Sequence, residues 1–337
     1  MKFGFMVPRE SDFDDGGDPY PRIYEYCQRA EELGFDFATF THHRFTPDRP
    51  YLSSPFVIMS AVAAQTQRLE LMTTIFILPL YHPLDVAESA AALDLLSGGR
   101  LVLGVGAGYR EYEARAVGVD YRSRVSRMVE SIDVLQRAWS EEKISHDGTH
   151  FSFEDVEVLP RPARAGGPPI WIGAMADVAV ERAGRIADGW IAPSLQTLDT
   201  VADKAGLYRE TAAVAGRRAT LCLERDAVIG TDRELAQQAW LDRNLAMLEH
   251  YQGQGAVMPE DGGTGGRSFD SVGAGRAVAG TPDDCIEQLQ RAQEATDCEY
   301  VQLMNLGAGP GYAHRGNYAS ELDALELFGR EVLPAFR

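Results

Sequence analysis

One pattern limits the fold of this chain more than any other: short apolar runs of strand length alternate, about eight times, with longer stretches of helical period. The strand-length runs fall at 3–7, 37–40, 69–77, 101–105, 170–172, 189–192, 219–229 and 300–306. The helical stretches fall at 20–33, 55–64, 83–96, 124–139, 178–186, 197–215, 282–295 and 318–333. Boundary chemistry supports the division. Leu33-Gly34 ends one helical stretch with a glycine C-cap, and Thr281-Pro282-Asp283-Asp284 opens another with a hydroxyl N-cap, proline in the first turn and acidic neighbours. Parallel strands must be joined by crossovers, and a helix after every strand is the usual one. Length alone allows two modest domains. Eight units instead suit one (β/α)8 TIM barrel over residues 1–337, with two insertions. At 143–159, after the fourth helix, His146-Asp147-Gly148-Thr149-His150 separates two alternating stretches and predicts a β-hairpin. After the seventh strand, 231–279 begins with a helical pattern at 234–251. It then turns glycine-rich without apolar periodicity, which reads as a mobile loop able to serve as a lid.

Charge narrows the partners. With 50 acidic against 32 basic residues, net charge −18, the field repels phosphate backbones and anionic headgroups, so neither nucleic acid nor a membrane is an expected partner. The four cysteines lack ligand spacing and predict neither a zinc site nor a disulfide framework. The first residues show no basic, apolar or cleavage-site pattern of a leader, and no apolar run reaches the ~18 residues of a membrane span. The expectation is a cytoplasmic protein.

In a barrel of this kind, chemistry gathers where strands end. Thr41-His42-His43-Arg44 follows the second run, Leu78-Pro79-Leu80-Tyr81-His82-Pro83 the third, and Gly104-Val105-Gly106-Ala107-Gly108-Tyr109 the fourth. Adjacent histidines offer proton transfer near neutral pH. The alternate glycines allow a planar ligand or a backbone to approach closely. They are not a dinucleotide fingerprint, because the third glycine comes one residue too soon and no acidic residue follows at the required spacing.

Several motifs together resemble the bacterial luciferase-like flavin-dependent oxidoreductases over nearly the whole chain. They are His82-Pro83-Leu84, Ala87-Glu88, Leu93 to Arg100 running into Leu101 to Gly108, Glu113, Gly118, Pro168 to Ala174, Ala183 to Trp190, and Gly280-Thr281-Pro282. The resemblance implies a TIM barrel that holds reduced FMN, or alternatively a reduced deazaflavin, in its mouth. Its leading functional implication is a monooxygenase that uses reduced FMN and oxygen on a small organic substrate, supplied by a separate NAD(P)H-dependent flavin reductase. The alternatives are hydride transfer from a deazaflavin and non-catalytic flavin binding. A homodimer packed through its early helices is also implied. Residue by residue, His42 matches the family's proton-transfer histidine, although Thr41 stands where luciferases have Glu. Thr73 and Thr74 match the strand-three bulge under the ring, and Gly106 replaces a cysteine that faces the flavin in luciferases. Arg127, with Arg124 as its competitor, matches the basic residue at the flavin phosphate. Gly173, Ala174, Met175 and Ala176 match the loop whose N–H groups would hold that phosphate. Arg9, His43, His82 and Tyr109 are expected at the mouth. Asp94 and Arg100 are read as a possible architectural ion pair, and Trp171 as packing.

Overall fold

A computed structural model describes residues 1–8, 18–45, 54–253, 268–308 and 318–337, with side chains except at 245–253, 308 and 319. Arg9 and the centre of the glycine-rich stretch lie outside the described residues. In chain order the first half runs β1 (Lys2–Met6), α1 (Pro19–Leu33), β2 (Phe37–Phe40), α2 (Pro55–Gln65), β3 (Glu70–Thr73), β4 (Phe76–Ile77), α3 (Pro83–Leu96), β5 (Leu101–Gly106), α4 (Glu111–Ala116) and α5 (Arg124–Ser140). The second half runs β6 (Ile144–Asp147), β7 (Ser152–Val156), β8 (Ile170–Gly173), α6 (Asp177–Ile186), β9 (Gly189–Ala192), α7 (Leu198–Val214), β10 (Thr220–Ile229), α8 (Arg233–Gly253), α9 (Phe269–Val272), β11 (Ala277–Gly280), α10 (Pro282–Thr296), β12 (Tyr300–Ala308) and α11 (Tyr318–Glu331).

Strands β1, β2, β3, β5, β8, β9, β10 and β12 are parallel, and β10 pairs with both β12 and β9, so the sheet closes into a TIM barrel. Period-2 alternation divides each strand between two cores. Outward residues such as Phe5, Leu71, Leu103, Leu221 and Val301 pack with the helices in the main core. Inward Phe37, Met72, Val102, Trp171, Ile191 and Cys222 fill the lumen. A methyl at Gly4 or Gly189 would run into the Phe37 or Trp171 ring, which is why glycine stands there. Below this layer, Lys2 Nζ donates to Glu70 (2.7 Å) and Tyr300 (3.1 Å), a polar stopper at the base of the barrel.

At Thr73 and Thr74, where the resemblance implies a bulge, the run at 69–77 is interrupted by one with a cis Thr74–Ile75 bond, and β4 resumes pairing with β5. Two features depart from the sequence reading. The tail of the glycine-rich insertion is ordered: Ser268 and Ser271 form a capping box on α9, and β11 pairs with the end of β10. With Trp240 and Phe269 these elements build a small second core, a role hidden by the surrounding glycines. Asp94 and Arg100 do not pair. Asp94, fully buried, binds Arg164 (2.9 Å), whereas Arg100 spends its donors on Thr66 Oγ1 and the carbonyls of Ala63, Thr66, Leu69 and Ser97, tying α2 and α3 to the sheet. All four cysteines are buried, and burial pushes the Cys285 thiol up to about 12. No described helix is long and apolar enough to cross a membrane.

Candidate active site

The C-terminal strand ends bring most of the predicted residues to one mouth. His42 follows β2 and is 2 % exposed. Its Nδ1 accepts from the Ile77 N–H (3.2 Å), which leaves the proton on Nε2 to donate to the Tyr81 hydroxyl (3.0 Å). Phe76 stacks on the imidazole at 4.8 Å, and Phe56 stacks on Phe76 at 4.9 Å. Burial first, then the neighbouring His43 and Arg44 charges, push the His42 pKa down to about 3. The ring is therefore neutral, with both nitrogens engaged.

A buried carboxyl meets the second histidine one residue further on. Glu113 projects from α4, whose first turn carries two glutamates, and is 1 % exposed. Its Oε1 accepts from the Arg44 N–H (2.7 Å) and meets His43 Nδ1 (3.2 Å), while its Oε2 is buried without a hydrogen bond. Tyr109 lies edge-on to His43 at 5.6 Å. In the sequence Glu113 stands out only as part of a motif. The available signal was an acidic residue within a strand-end loop and helix, but its burial needs the fold.

The bulge forms the floor. Thr74 Oγ1 accepts from Gln302 Nε2 of β12 (3.1 Å), a bond across the lumen, while Thr73 Oγ1 donates to the Gly104 carbonyl (2.7 Å). Ile75 rises between two glycines. A Cβ at Gly106 would lie 1.8 Å from Ile75 Cδ1, and one at Gly173 would lie 2.9 Å from its Cγ2. A side chain at Gly106 would thus require Ile75 to shift.

Gly173 to Ala176 lead from β8 into α6, whose N-cap Ala176 offers no side-chain acceptor to the first turn. The loop is held by Trp190 Nε1 on the Ala174 carbonyl (2.9 Å) and Gln196 Nε2 on the Met175 carbonyl (3.2 Å). Arg127 donates to the Pro79 carbonyl and stacks on Phe151, and burial lowers its pKa. Arg124 donates to Gly108 and Tyr121 carbonyls. His82 accepts from the Leu84 N–H as the N-cap of α3 and meets Phe151 edge-on, locking the β6–β7 hairpin to the barrel.

Four buried oxygens around this mouth lack a hydrogen bond: Thr41 Oγ1, Glu113 Oε2, Gln196 Oε1 and Gln302 Oε1. Buried polar atoms are rarely left so, and four around one opening mark it as a place for a polar ligand. Two grooves of about 560 and 550 Å³ lie instead near the starts of β8 and β10, and they contain the already paired Arg164 and Arg217. They do not hold the predicted site residues.

A closed parallel barrel that gathers its glycine-framed floor, a buried acid–histidine pair and a helix-start loop at the C-terminal ends of its strands has the layout of a TIM-barrel enzyme. The chain belongs to the luciferase-like monooxygenase family, whose model matches residues 1–297. It is 30% identical to an F420-dependent glucose-6-phosphate dehydrogenase of Nakamurella multipartita, over 91% of this chain and 90% of that one. It is 32% identical to an F420-dependent hydroxymycolic acid dehydrogenase of Mycobacterium tuberculosis, over 67% of this chain and 64% of that one, so the chain spans a little under two thirds of this relative. The monooxygenase RslO1 of Streptomyces bottropensis has a similar structure, with TM-score 0.82 and 25% identity over the whole of both chains.

Proposed function

We propose that this enzyme moves a hydride between a deazaflavin of the F420 type and a small organic substrate. Kinship carries the reading: the relatives at 30–32% identity, one aligned over about nine-tenths of both chains, are named F420-dependent dehydrogenases. It replaces reduced FMN as the leading expectation from the sequence.

The residues present fit such a cofactor. Ile75, whose side chain lies where side chains on Gly106 and Gly173 would be, offers a ring an apolar bed. Thr41 offers an unused oxygen to a ring polar atom, and Gln196, the 173–176 backbone and Arg127 are suited to the phosphate-bearing tail. When bound, a deazaflavin supplies a carbon that donates or accepts hydride. The chain supplies the proton side. Glu113 holds or takes the proton at Oε2 while Arg44 fixes its Oε1. His43, with 17% of its side chain exposed, connects that carboxyl to solvent. His42, neutral and doubly bonded, shapes the wall and keeps water out, so the proton role expected of it passes to Glu113 and His43.

The likeness to a monooxygenase structure supports a second reading, FMN and oxygen with a separate reductase. An anaerobic fluorescence titration with F420 and with FMN, followed by mixing of each reduced complex with oxygenated buffer, separates the two. Tight F420 binding with no substrate oxidised at the expense of oxygen is expected. Preference for reduced FMN, with substrate oxidised in step with oxygen consumed, would overturn the proposal.

A further inference from the structure

Apart from the Gln302 bond that steadies the bulge, the half of the mouth formed by β10 and β12 has no part in the cofactor bed described above, yet it carries an unusual set of polar side chains. Glu224 and Gln302 are register partners on these parallel strands, so they face the same way. Gln302 reaches Thr74 across the lumen, which fixes that direction as inward. Gln302 is completely buried and its Oε1 has no hydrogen bond. Glu224 is 9% exposed and accepts from the Ser194 N–H beyond β9. One register step nearer the opening, Asp226 is 3% exposed and occupied: Asn305 donates to it (2.8 Å) and Arg243 of α8 lies 3.6 Å away. Asn305 takes a left-handed backbone, φ 46°, at the irregular step where β12 shifts against β10, and its carbonyl accepts from Arg243. The insertion is thus anchored directly beside this wall.

We infer that Glu224 and Gln302 form a substrate subsite that selects an uncharged oxygen group, a hydroxyl or a carbonyl, with Glu224 donating its carboxyl proton to the substrate oxygen and Gln302 Oε1 accepting from a hydroxyl. The inference rests on the hydride-transfer reading only in leaving the opposite half of the mouth to the cofactor.

Several observations converge on neutrality. Burial and the adjacent Asp226 carboxylate push Glu224 up to about 8, against the opposing pull of Arg225 and the Ser194 N–H, so it carries a proton at neutral pH. The charged and titratable groups around it are Asp226, Arg225 and Cys222 on its own strand, Arg243 on α8 and Arg276 before β11. Asp226 and Arg243 already face each other, and Arg276 donates to the Leu195 and Val272 carbonyls. A cationic substrate group would require Glu224 to ionise next to Asp226. An anionic one would meet that same Asp226. A hydroxyl can satisfy the donor and the acceptor together, and an analogue without oxygen leaves Gln302 Oε1 buried and unpaired.

The test uses the intact chain without cofactor, so it does not depend on whether deazaflavin or FMN is the partner. Dissociation constants for cyclohexanol, cyclohexanone, cyclohexylammonium and cyclohexanecarboxylate are measured by ligand-observed NMR at pH 7. Wild type is compared with Glu224→Gln, which keeps a donor, and Glu224→Leu, which removes it; folding is checked by thermal melts. F420 affinity is measured separately by fluorescence. The alcohol and ketone are expected to bind roughly tenfold tighter than either ion. E224L is expected to lose that advantage and E224Q to retain it within about threefold, both with F420 affinity unchanged. Preference for the ammonium, equal binding of all four probes, absence of binding by any, or alcohol binding unchanged in E224L would overturn the subsite. So would a fall in F420 affinity in E224L, which would assign this wall to the cofactor.

Discussion

Gly106→Ala tests the floor of the site with a single methyl. The new Cβ would sit 1.8 Å from Ile75 Cδ1, 3.1 Å from Cγ1 and 3.7 Å from Cβ. Rotation of the terminal methyl can relieve the first contact but not the second. The cost falls in the overpacking range, about 1–3 kcal/mol. At about 2.1 cal/mol/K per residue, the 337 residues give an unfolding entropy near 0.7 kcal/mol/K, so Tm should drop by roughly 1–4 °C. Displacement of Ile75 also raises the floor into the ring position, and F420 affinity should fall about tenfold or more. Ile75→Ala removes the obstacle, so the double variant should be at least about 1 kcal/mol better than the sum of its parents. Thermal melts and fluorescence titrations of the four proteins decide the matter. A G106A protein with wild-type Tm and affinity, or strict additivity in the double variant, would refute the packing argument.

Glu113→Gln keeps an acceptor for the Arg44 N–H and loses the transferable proton, so turnover should fall ~10²-fold or more with F420 affinity near wild type. Unchanged turnover would end the proton role. The depressed pKa of His42, about 3 against an ordinary 6.5, means that the unfolded chain takes up a proton that the folded chain refuses; its contribution is complete above pH 6.5 and is lost progressively as pH falls toward 3. His42→Gln should accordingly shrink the difference in Tm between pH 7 and pH 5, and an undiminished difference would contradict the assignment. Asp94→Ala leaves Arg164 without its buried partner and should cost about 2–3 kcal/mol, below the full buried-pair range because Arg164 is one-third exposed. An unfolding free energy from urea titration within about 0.5 kcal/mol of wild type would show that the pair is unimportant.

The barrel was legible because its signals are local and repeated. Leu33-Gly34 does end α1 with a left-handed cap, and Thr281 with Asp284 does form the capping box of α10. Short local cues surrounded by glycine were harder to read: α9 and β11 span four residues each, and their stability comes from Trp240, distant in sequence. Most site positions could be placed at a strand end, but their state could not. His42 is neutral because Ile77, Tyr81 and Phe76 enclose it, and Glu113 is buried because α4 folds over the mouth; neither fact has a sequence period. Asp94 and Arg100 illustrate the same gap, since opposite charges six residues apart suggested a pair that the fold divides between different partners.

A barrel stoppered at its base has one door. Rings fill the lumen below the bulge, and Lys2, Glu70 and Tyr300 meet at the far end, so the described lumen is packed between mouth and base. Whatever lies deepest must arrive first and leave last. If the cofactor rests on Ile75 and the substrate above it, steady-state kinetics should show compulsory order: a dead-end substrate analogue should trap the cofactor and slow its exchange, while excess cofactor should not slow release of the analogue.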